Sequence, residues 1–286
     1  MTNVAAPLVK AELVNPPGAT KPLVVCIHGG GCNARYFDLP GFSFRERAVA
    51  RGFPLLLVNR PGHGGSDDAA ASSFSAGAAA ILKTVVDCLA ERSRHDWFLI
   101  GHSIGGAIAI MIAGEQRVAG LRGVALSGIG DRPTEQARSW VGGTANPLSG
   151  VALAEEMLFG PRESYSWRAP KALRAAAEPW RPGEVIEALE HWPYRFAPIA
   201  RKVGVPVHLR LADAEHIWET GAKAIARMAA AFEDAPAVDA AILPDGGHLY
   251  EVHRRGGEQM EAQLDFLDGL SRRLDFGAGV AIPRQV

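Results

Sequence analysis

The chain has 286 residues, of which 48% are hydrophobic and 21% are charged, and its formal net charge is −1. This composition is typical of an ordinary soluble protein and excludes a general electrostatic attraction to nucleic acid or to an anionic membrane. The length suits one large core domain, with or without an insertion.

Short apolar runs alternate with amphipathic segments of helical length along most of the chain. This alternation predicts an α/β fold, in which helices on both faces cover a mostly parallel central sheet. The expected strands are Leu23–Ile27, Pro54–Asn59, Trp97–Ile100, Gly123–Ser127, Val207–Leu211 and Val238–Leu243, with two weaker strands before Pro16. The expected helices, several of which begin at a capping residue, are Ser43–Arg51, Ser75–Arg92, Ser103–Gly114, Glu219–Phe232 and Gly257–Leu274.

The alternation stops between Asp131 and Pro198, where no strand pattern occurs and prolines and large side chains are frequent. We therefore predict a helical cap insertion at 131–197, between core segments 1–130 and 198–286. Its bulky side chains are expected to form an apolar wall that contacts substrate, with Trp140, Met157 and Trp192 as candidates. For each single residue, the alternative is a place in the insertion's own small core.

Few features point to a compartment or a partner. The chain does not begin with a charged segment followed by a long apolar segment, and it contains no run of about 18 apolar residues. We therefore expect a cytoplasmic protein without a membrane partner. The cysteines Cys26, Cys32 and Cys88 are odd in number and lack metal-binding spacing, which predicts reduced thiols and no metal site. The sequence is compatible with a homo-oligomer.

A serine between glycines follows the third of the six main predicted strands. The stretch WFLIGHSIGGA, residues 97–107, passes from apolar residues through Gly101, Ser103 and Gly105 into a helix-forming segment. Glycine-flanked serines also occur in ordinary turns, but a plain turn does not explain both the strand before and the helix after. The pattern predicts a sharp turn with a strained serine, where side chains at the two glycine positions would collide.

This stretch resembles the nucleophile elbow of the α/β-hydrolases, and the resemblance extends from Pro22 to about Leu274. It implies that Ser103 is a nucleophile. His28-Gly29-Gly30-Gly31 then matches the family's oxyanion loop, whose donors would be the N–H groups of Gly30 and Ile104, with Gly31 as an alternative. A phosphate-binding loop is the other interpretation of these glycines, but the Lys-Ser/Thr ending of such loops is missing.

Two further stretches near this loop invite an interpretation. Gly31 and Cys32 are expected to line the mouth of the substrate pocket, and a second nucleophile at Cys32 is not expected because no histidine motif addresses it. The stretch NRPGHGGSD, residues 59–67, resembles a family motif beside the oxyanion hole. Because Asn59 replaces an Asp of many relatives, we assign it a structural role, and we expect His63 to be a loop histidine.

The catalytic base is predicted from the stretch PDGGHL, residues 244–249, between the last strand and the last helix. This context matches the family's catalytic-histidine loop, so His248 is the candidate that accepts the serine proton. His253 is expected at or near the helix surface. The triad acid is predicted to be Glu215, with Asp213 second and Asp131 third.

Together these residues predict a serine hydrolase that cleaves an ester, lactone or thioester of a small, largely apolar substrate through an acyl-enzyme. No metal or organic cofactor is expected. One alternative keeps the triad and cleaves a C–C bond or acts as a lyase, because function depends on the site and the cap rather than on the fold. The other alternative is a relative without catalytic activity that binds a ligand.

Overall fold

The computed structural model describes residues 9–69, 71, 73–115, 119–142 and 156–275. Within these residues, seven strands form one sheet in the order β1-β5-β2-β6-β7-β8-β9, and β3 pairs with β4 in a separate hairpin. Only β1 runs antiparallel to its neighbour in the large sheet. The strands are β1 Ala11–Val14, β2 Leu23–Ile27, β3 Asp38–Leu39, β4 Phe42–Ser43, β5 Leu55–Val58, β6 Trp97–His102, β7 Leu121–Ser127, β8 Val207–Ala212 and β9 Val238–Leu243.

Helices cover both faces of this sheet, and each helix expected in the core is present with its limits shifted by three residues or fewer. Serine side chains cap two of them, since Ser43 accepts from the Glu46 N–H and Ser73 from the Ala76 N–H. The α-helices are Phe44–Ala50, Phe74–Ala90, Ile104–Glu115, Glu135–Gly142, Arg168–Leu173, Pro182–Ile186, Trp192–Ala200, Ala222–Ala230 and Gly256–Asp275, with a helical turn at 156–159.

The observed sheet confirms the predicted fold class, and two details differ from the expected strands. Before Pro16 the described residues contain one strand, β1, and residues 1–8 lie outside them. The hairpin of β3 and β4 was not predicted, because two-residue strands are too short to show an alternating pattern.

Two apolar clusters fill the space between the sheet and its helices. One contains the buried apolar residues of the helix Ile104–Glu115, and the other contains Phe37, Phe53 and Leu264. Every residue of β2 and of β6 is buried, as expected for central strands covered on both sides. Because β2, β5, β6, β7, β8 and β9 are parallel, their carboxyl ends lie along one edge of the sheet.

The predicted cap insertion is helical in the residues that the structure describes between β7 and β8. Its last helix, Trp192–Ala200, continues past residue 197 and packs against the helix Ile104–Glu115. The proposed boundary at 197 therefore falls inside a helix, and the domain limits stay a prediction. In the described part of the chain, no helix combines the length and apolar character needed to span a bilayer.

Candidate active site

Ser103 occupies the sharp turn between β6 and the helix Ile104–Glu115. Its φ angle is 52°, in the left-handed region that non-glycine residues rarely adopt and that is often associated with functional sites. The Ser103 N–H donates to the Ser127 carbonyl at the end of β7 at 2.9 Å, and the Ser103 carbonyl accepts from the Gly106 N–H at 2.7 Å. The strained serine is thus held by backbone hydrogen bonds on both sides.

The glycines around Ser103 are required by close backbone contacts. A Cβ at Gly101 would lie 2.5 Å from the Gly105 carbonyl oxygen, and a Cβ at Gly105 would overlap the Ile27 carbonyl oxygen of β2. Both distances are far below van der Waals contact, so a side chain at either position would push the turn away from the sheet. This confirms the predicted reason for the glycine pair.

His248 lies directly over the Ser103 hydroxyl. Its Nε2 atom is 2.9 Å from Ser103 Oγ, and its Nδ1 atom is 2.9 and 3.1 Å from the two carboxylate oxygens of Glu215. The Glu215 side chain is fully buried, and one of its oxygens also accepts the Ile217 N–H at 2.9 Å. With Nδ1–H donating to the carboxylate, Nε2 is free to accept the serine proton.

The other two candidate acids have different partners. Asp213 accepts the N–H groups of Asp245 and Gly246 at 3.0 and 3.2 Å, so it fixes the start of the loop that carries His248. Asp131 forms a two-pronged ion pair with Arg227 at 2.6 and 2.8 Å. Of the three predicted acids, the structure therefore brings Glu215 to His248.

The predicted oxyanion loop lies beside Ser103. A Cβ at Gly29 would be 3.0 Å from Ser103 Cβ, and a Cβ at Gly30 would be 3.0 Å from Ile104 Cδ1. The structure thus brings Gly30 and Ile104, the two predicted donors, next to each other. The positive end of the dipole of the helix Ile104–Glu115 is also at this point, which favours negative charge there.

The indole of Trp180 covers this loop from the insertion. A Cβ at Gly30 would lie 2.8 Å from Trp180 Cζ3, and one at Gly31 would lie 2.7 Å from Trp180 Cε2. Gly31 also has a φ angle of 64°. Glycine at both positions therefore allows the tryptophan to lie directly against the backbone of the loop.

A buried ion pair supports the oxyanion loop from behind. Arg60 donates to the Gly29 carbonyl at 3.0 Å and to Glu184 of the insertion at 2.5 Å. Burial opposes ionisation of Glu184, but Arg60 and His63 outweigh it and lower the pKa of this carboxyl to about 2. His63 is a loop histidine here, as expected, with Nε2 at 3.2 Å from Glu184.

Cys32 is packed behind the loop rather than at an open pocket mouth. Its thiol donates to the Gly29 carbonyl at 3.4 Å, and its side chain belongs to the same apolar cluster as Phe37 and Phe53. Burial raises the pKa of this thiol to about 12. The side chain is therefore a neutral thiol with few means of reaching substrate, which corrects the expected position.

The insertion is fastened to the oxyanion loop by further hydrogen bonds. The Glu178 N–H donates to the Gly31 carbonyl at 2.9 Å, and the Asn33 N–H donates to the Ala176 carbonyl at 2.9 Å. The Glu178 carboxylate accepts from Asn33 Nδ2 at 2.9 Å and from the Gly64 N–H at 3.3 Å. We call the segment 176–187 the strap, because it crosses the oxyanion loop and bonds to it.

The three candidates for the apolar wall have different surroundings. Met157 is fully buried, and the next residue, Leu158, accepts the Leu249 N–H at 2.9 Å, which places this segment against the His248 loop. Trp192 is also fully buried, donates from Nε1 to the Gly130 carbonyl at 2.9 Å and contacts Phe196 edge to face. These are contacts of a core residue. The side chain of Trp140 lies outside the described residues.

Sequence reasoning missed several residues of this region. His253 was expected at or near the surface but is only 2% exposed, and its Nε2 lies 2.6 Å from the Phe159 carbonyl oxygen and 3.1 Å from the Gly247 nitrogen. These contacts lie beside the glycine before His248, and a histidine six residues later gives no local signal of them. Trp180 and Glu184 were missed because only the folded insertion brings them to the loop.

The chain belongs to the alpha/beta hydrolase family, whose family model matches residues 24–261. Solved structures with the same fold include an esterase from Exiguobacterium antarcticum, with a TM-score of 0.69, 13% identity and coverage of 91% of this chain and 95% of that one. An enol-lactonase from Burkholderia xenovorans has a TM-score of 0.69, 15% identity and coverage of 91% and 96%. At these identities the likeness concerns the fold.

Curated relatives match a shorter part of the chain. A 2-succinyl-6-hydroxy-2,4-cyclohexadiene-1-carboxylate synthase of Klebsiella pneumoniae is 32% identical over 121 residues, which are 41% of this chain and 44% of that protein. A protein of the same name from Pectobacterium atrosepticum is 31% identical over 110 residues, or 38% of this chain and 39% of that protein. The chain thus spans less than half the length of these relatives.

Proposed function

We propose that the protein is a serine hydrolase that cleaves an ester, lactone or thioester through an acyl-enzyme at Ser103. The observation that supports this most strongly is a continuous set of hydrogen bonds. Ser103 Oγ lies 2.9 Å from His248 Nε2, and His248 Nδ1 lies 2.9 Å from the nearer carboxylate oxygen of Glu215. A serine next to a neutral imidazole that is held by a buried carboxylate is an activated nucleophile.

The first half of the reaction forms the acyl-enzyme. Ser103 Oγ attacks the substrate carbonyl carbon while its proton passes to His248 Nε2, and Glu215 stabilises the imidazolium through Nδ1–H. The carbonyl oxygen takes the negative charge and accepts hydrogen bonds from the N–H groups of Gly30 and Ile104. When the tetrahedral intermediate collapses, the bond to the alcohol or thiol breaks, and the leaving group takes the proton from His248.

The second half returns the enzyme to its starting state. Water gives a proton to His248 Nε2 and attacks the acyl carbon, so a second tetrahedral intermediate forms on the same donors. Its collapse breaks the bond to Ser103 Oγ, which recovers its proton from His248, and the carboxylic acid leaves.

A neutral, largely apolar substrate fits the surroundings of the site. Trp180 and Ile104 present apolar groups beside Gly30. Arg60 and Arg181 donate to the backbone of the adjacent loops, and each also forms an ion pair, Arg60 with Glu184 and Arg181 with Asp68.

A lyase reaction on the same three residues is the second candidate, and the partial match to the Klebsiella pneumoniae synthase favours it. The product named for that relative carries a carboxylate and a succinyl group, which would need cationic partners in the site. Because Arg60 and Arg181 already face carboxylates, we expect hydrolysis of neutral esters and no formation of that product from its precursor.

The experiment uses p-nitrophenyl esters from acetate to octanoate with the wild type, Ser103→Ala and the control Ser271→Ala. Ser271 is also buried, but it lies on the last helix and donates to the Leu267 carbonyl. We expect Ser103→Ala to lose nearly all turnover while folding normally, and Ser271→Ala to keep it. Undiminished turnover in Ser103→Ala would refute the proposal. A wild type inactive on every ester, but stabilised by a bound ester, would indicate the ligand-binding alternative.

A further inference from the structure

The candidate oxyanion donor at Gly30 belongs to one rigid peptide group. Among the described residues no peptide bond is cis, so the bond between Gly29 and Gly30 is trans. In a trans peptide the carbonyl oxygen and the N–H point in opposite directions within one plane. Whatever holds the Gly29 carbonyl therefore also sets the direction of the Gly30 N–H.

The two ends of this peptide have different surroundings. Three buried side chains donate to the Gly29 carbonyl oxygen, from His28 Nδ1 at 2.8 Å, Arg60 Nη2 at 3.0 Å and Cys32 Sγ at 3.4 Å. In the described part of the chain the Gly30 N–H has no hydrogen-bond partner. The carbonyl end is thus fixed by the protein, whereas the N–H end is free to donate to a substrate oxygen.

The direction of the bond from His28 follows from its other ring nitrogen. His28 Nε2 accepts the Arg60 backbone N–H at 3.1 Å, and a backbone N–H can only donate. Burial, with Arg60 nearby, holds the pKa of His28 well below its usual range, so the ring is neutral. A neutral ring with Nε2 as acceptor carries its proton on Nδ1, and that proton goes to the Gly29 carbonyl.

The bond from Arg60 adds a charge to this peptide. The guanidinium is always protonated, and charge-assisted hydrogen bonds are roughly twice as strong as neutral ones. A strong bond to a carbonyl polarises the peptide, which makes the N–H at its other end a better donor. Glu184 accepts from Nη1 and Nη2 at 2.5 and 3.2 Å. Because this carboxylate neutralises Arg60, the arginine acts on the site chiefly through the peptide it touches.

We propose that Arg60 is a positioning residue for the oxyanion donor. Together with His28 it holds and polarises the Gly29–Gly30 peptide, so that the Gly30 N–H faces the oxygen on which negative charge develops. This inference rests on the proposed serine hydrolase. The bonds exist before substrate binds and do not have to form during the reaction, which is the condition for efficient oxyanion stabilisation. Glu184 of the strap then serves the reaction by fixing the guanidinium.

The test variant changes both members of the ion pair. Arg60→Met alone would leave Glu184 buried without its partner, which is strongly destabilising, whereas replacing a buried pair by apolar residues of similar size is often tolerated. We therefore use the double variant Arg60→Met/Glu184→Met. The control is Arg210→Met, since Arg210 on β8 also donates to backbone carbonyls and to a carboxylate, that of Asp239.

The first test needs no activity. In deuterated, backbone-assigned protein, the ¹³C resonance of the Gly29 carbonyl is detected through the Gly30 amide by triple-resonance NMR. We expect this resonance to move upfield in the double variant, because the carbonyl loses its charged donor, and to stay in place in Arg210→Met. An unmoved Gly29 carbonyl in the folded double variant would overturn the inference.

The second test measures binding of a transition-state analogue. An alkyl trifluoromethyl ketone forms a hemiketal with Ser103 whose oxyanion occupies the same place as that of the ester intermediate. In the double variant we expect its Ki to rise and kcat on p-nitrophenyl esters to fall by about ten-fold or more, with KM changed less. A residue that only stabilises the fold would change urea unfolding alone, so unchanged Ki and kcat would refute the inference.

A further variant separates the peptide from the strap. Glu178→Ala removes another anchor of the strap but leaves all three donors on the Gly29 carbonyl, so we expect a smaller rise in Ki than in the double variant. An equal rise would show that Arg60 acts through the strap and would overturn the inference. If the double variant matches the wild type while Ser103→Ala is inactive, the inference fails and the hydrolase survives. A fully active Ser103→Ala would refute the hydrolase itself.

Discussion

The two sides of the candidate site are built from different parts of the chain. On the base side, His248 is held by Glu215, and its loop is held by Asp213, all from the segments after β8 and β9. On the oxyanion side, the loop after β2 is held by the strap, through Glu184 with Arg60 and through Glu178 with Asn33. The base is held mainly by core segments, with an insertion contact from the Leu249 N–H to the Leu158 carbonyl. The oxyanion loop is bonded to the insertion at several points.

This difference separates chemistry from selectivity in the molecule. Changes in the base side should reduce the chemical step for every substrate, because all of them need the same proton transfer. Changes in the strap should alter stability, substrate preference and oxyanion stabilisation together, because Trp180 and Glu184 lie on the same short segment. Three substitutions examine this contrast, beginning with the largest expected effect.

Glu215→Gln is expected to lower kcat by several orders of magnitude, up to about 10⁴, because the amide cannot stabilise the imidazolium and allows the wrong tautomer of His248. Asp213→Asn serves as the matched control and should cost much less, since Asp213 accepts two backbone N–H groups and does not contact His248. Steady-state kinetics on one ester decides between them. A larger loss in folded Asp213→Asn would transfer the role of triad acid to Asp213.

Glu184→Gln is expected to destabilise the protein by about 3–5 kcal/mol, because Arg60 then keeps a buried charge without its partner. Urea unfolding of the variant and the wild type gives this difference. We also expect kcat to fall by about ten-fold. Arg60 bonds to the Gly29 carbonyl beside the oxyanion hole, and in the variant Glu184 no longer holds Arg60 in place. A variant as stable and as active as the wild type would show that the strap does not support the loop.

The stability difference should depend on pH in a defined direction. The pKa of Glu184 is lowered from 4.5 to about 2 in the folded protein, with Arg60 the main cause of the lowering. The ion pair therefore contributes its full stability above pH 4.5, and that contribution disappears as the pH falls toward about 2. Unfolding measured at successively lower pH should show the wild type approaching Glu184→Gln, and a constant gap would contradict this assignment.

Trp180→Ala should change KM and the preference for acyl chain length more than kcat, by about ten-fold or less, because the indole covers the oxyanion loop without donating to it. Trp167→Ala is the matched control, since Trp167 is 65% exposed on the same insertion. The p-nitrophenyl ester series gives both parameters. Identical chain-length preference in the two variants would show that Trp180 does not contact substrate.

Most of the core could be predicted from the sequence because its signals are local. Short apolar runs mark β2, β6 and β8, and the glycines around Ser103 mark a turn whose collisions are visible in the structure. The position of Glu215 could be predicted because it depends on spacing from the end of one strand. In each case, residues that act together are close in sequence or follow a strand end.

The features of the site that could not be predicted depend on contacts between distant parts of the chain. Glu184 is 124 residues from Arg60, and Glu251, which accepts from the Ser127 hydroxyl, is 124 residues from Ser127, so no local sequence pattern predicts either contact. Trp192 illustrates the opposite error, because a large side chain in a predicted cap can equally be a core residue, and its indole bonds to Gly130. Tertiary packing, rather than periodicity, decides which bulky residues of an insertion face substrate.

The acyl-enzyme at Ser103 is tested most directly by covalent trapping. The wild type, Ser103→Ala, Ser271→Ala and Glu215→Gln are each treated with a fluorophosphonate, and intact-mass spectrometry over time and peptide mapping give the rate of labelling and the position of the adduct. We predict one adduct per chain on Ser103 in the wild type and in Ser271→Ala, none in Ser103→Ala, and slower labelling in Glu215→Gln because its His248 is a poorer base. An adduct of equal yield in Ser103→Ala, or one on another residue of the wild type, would contradict the account.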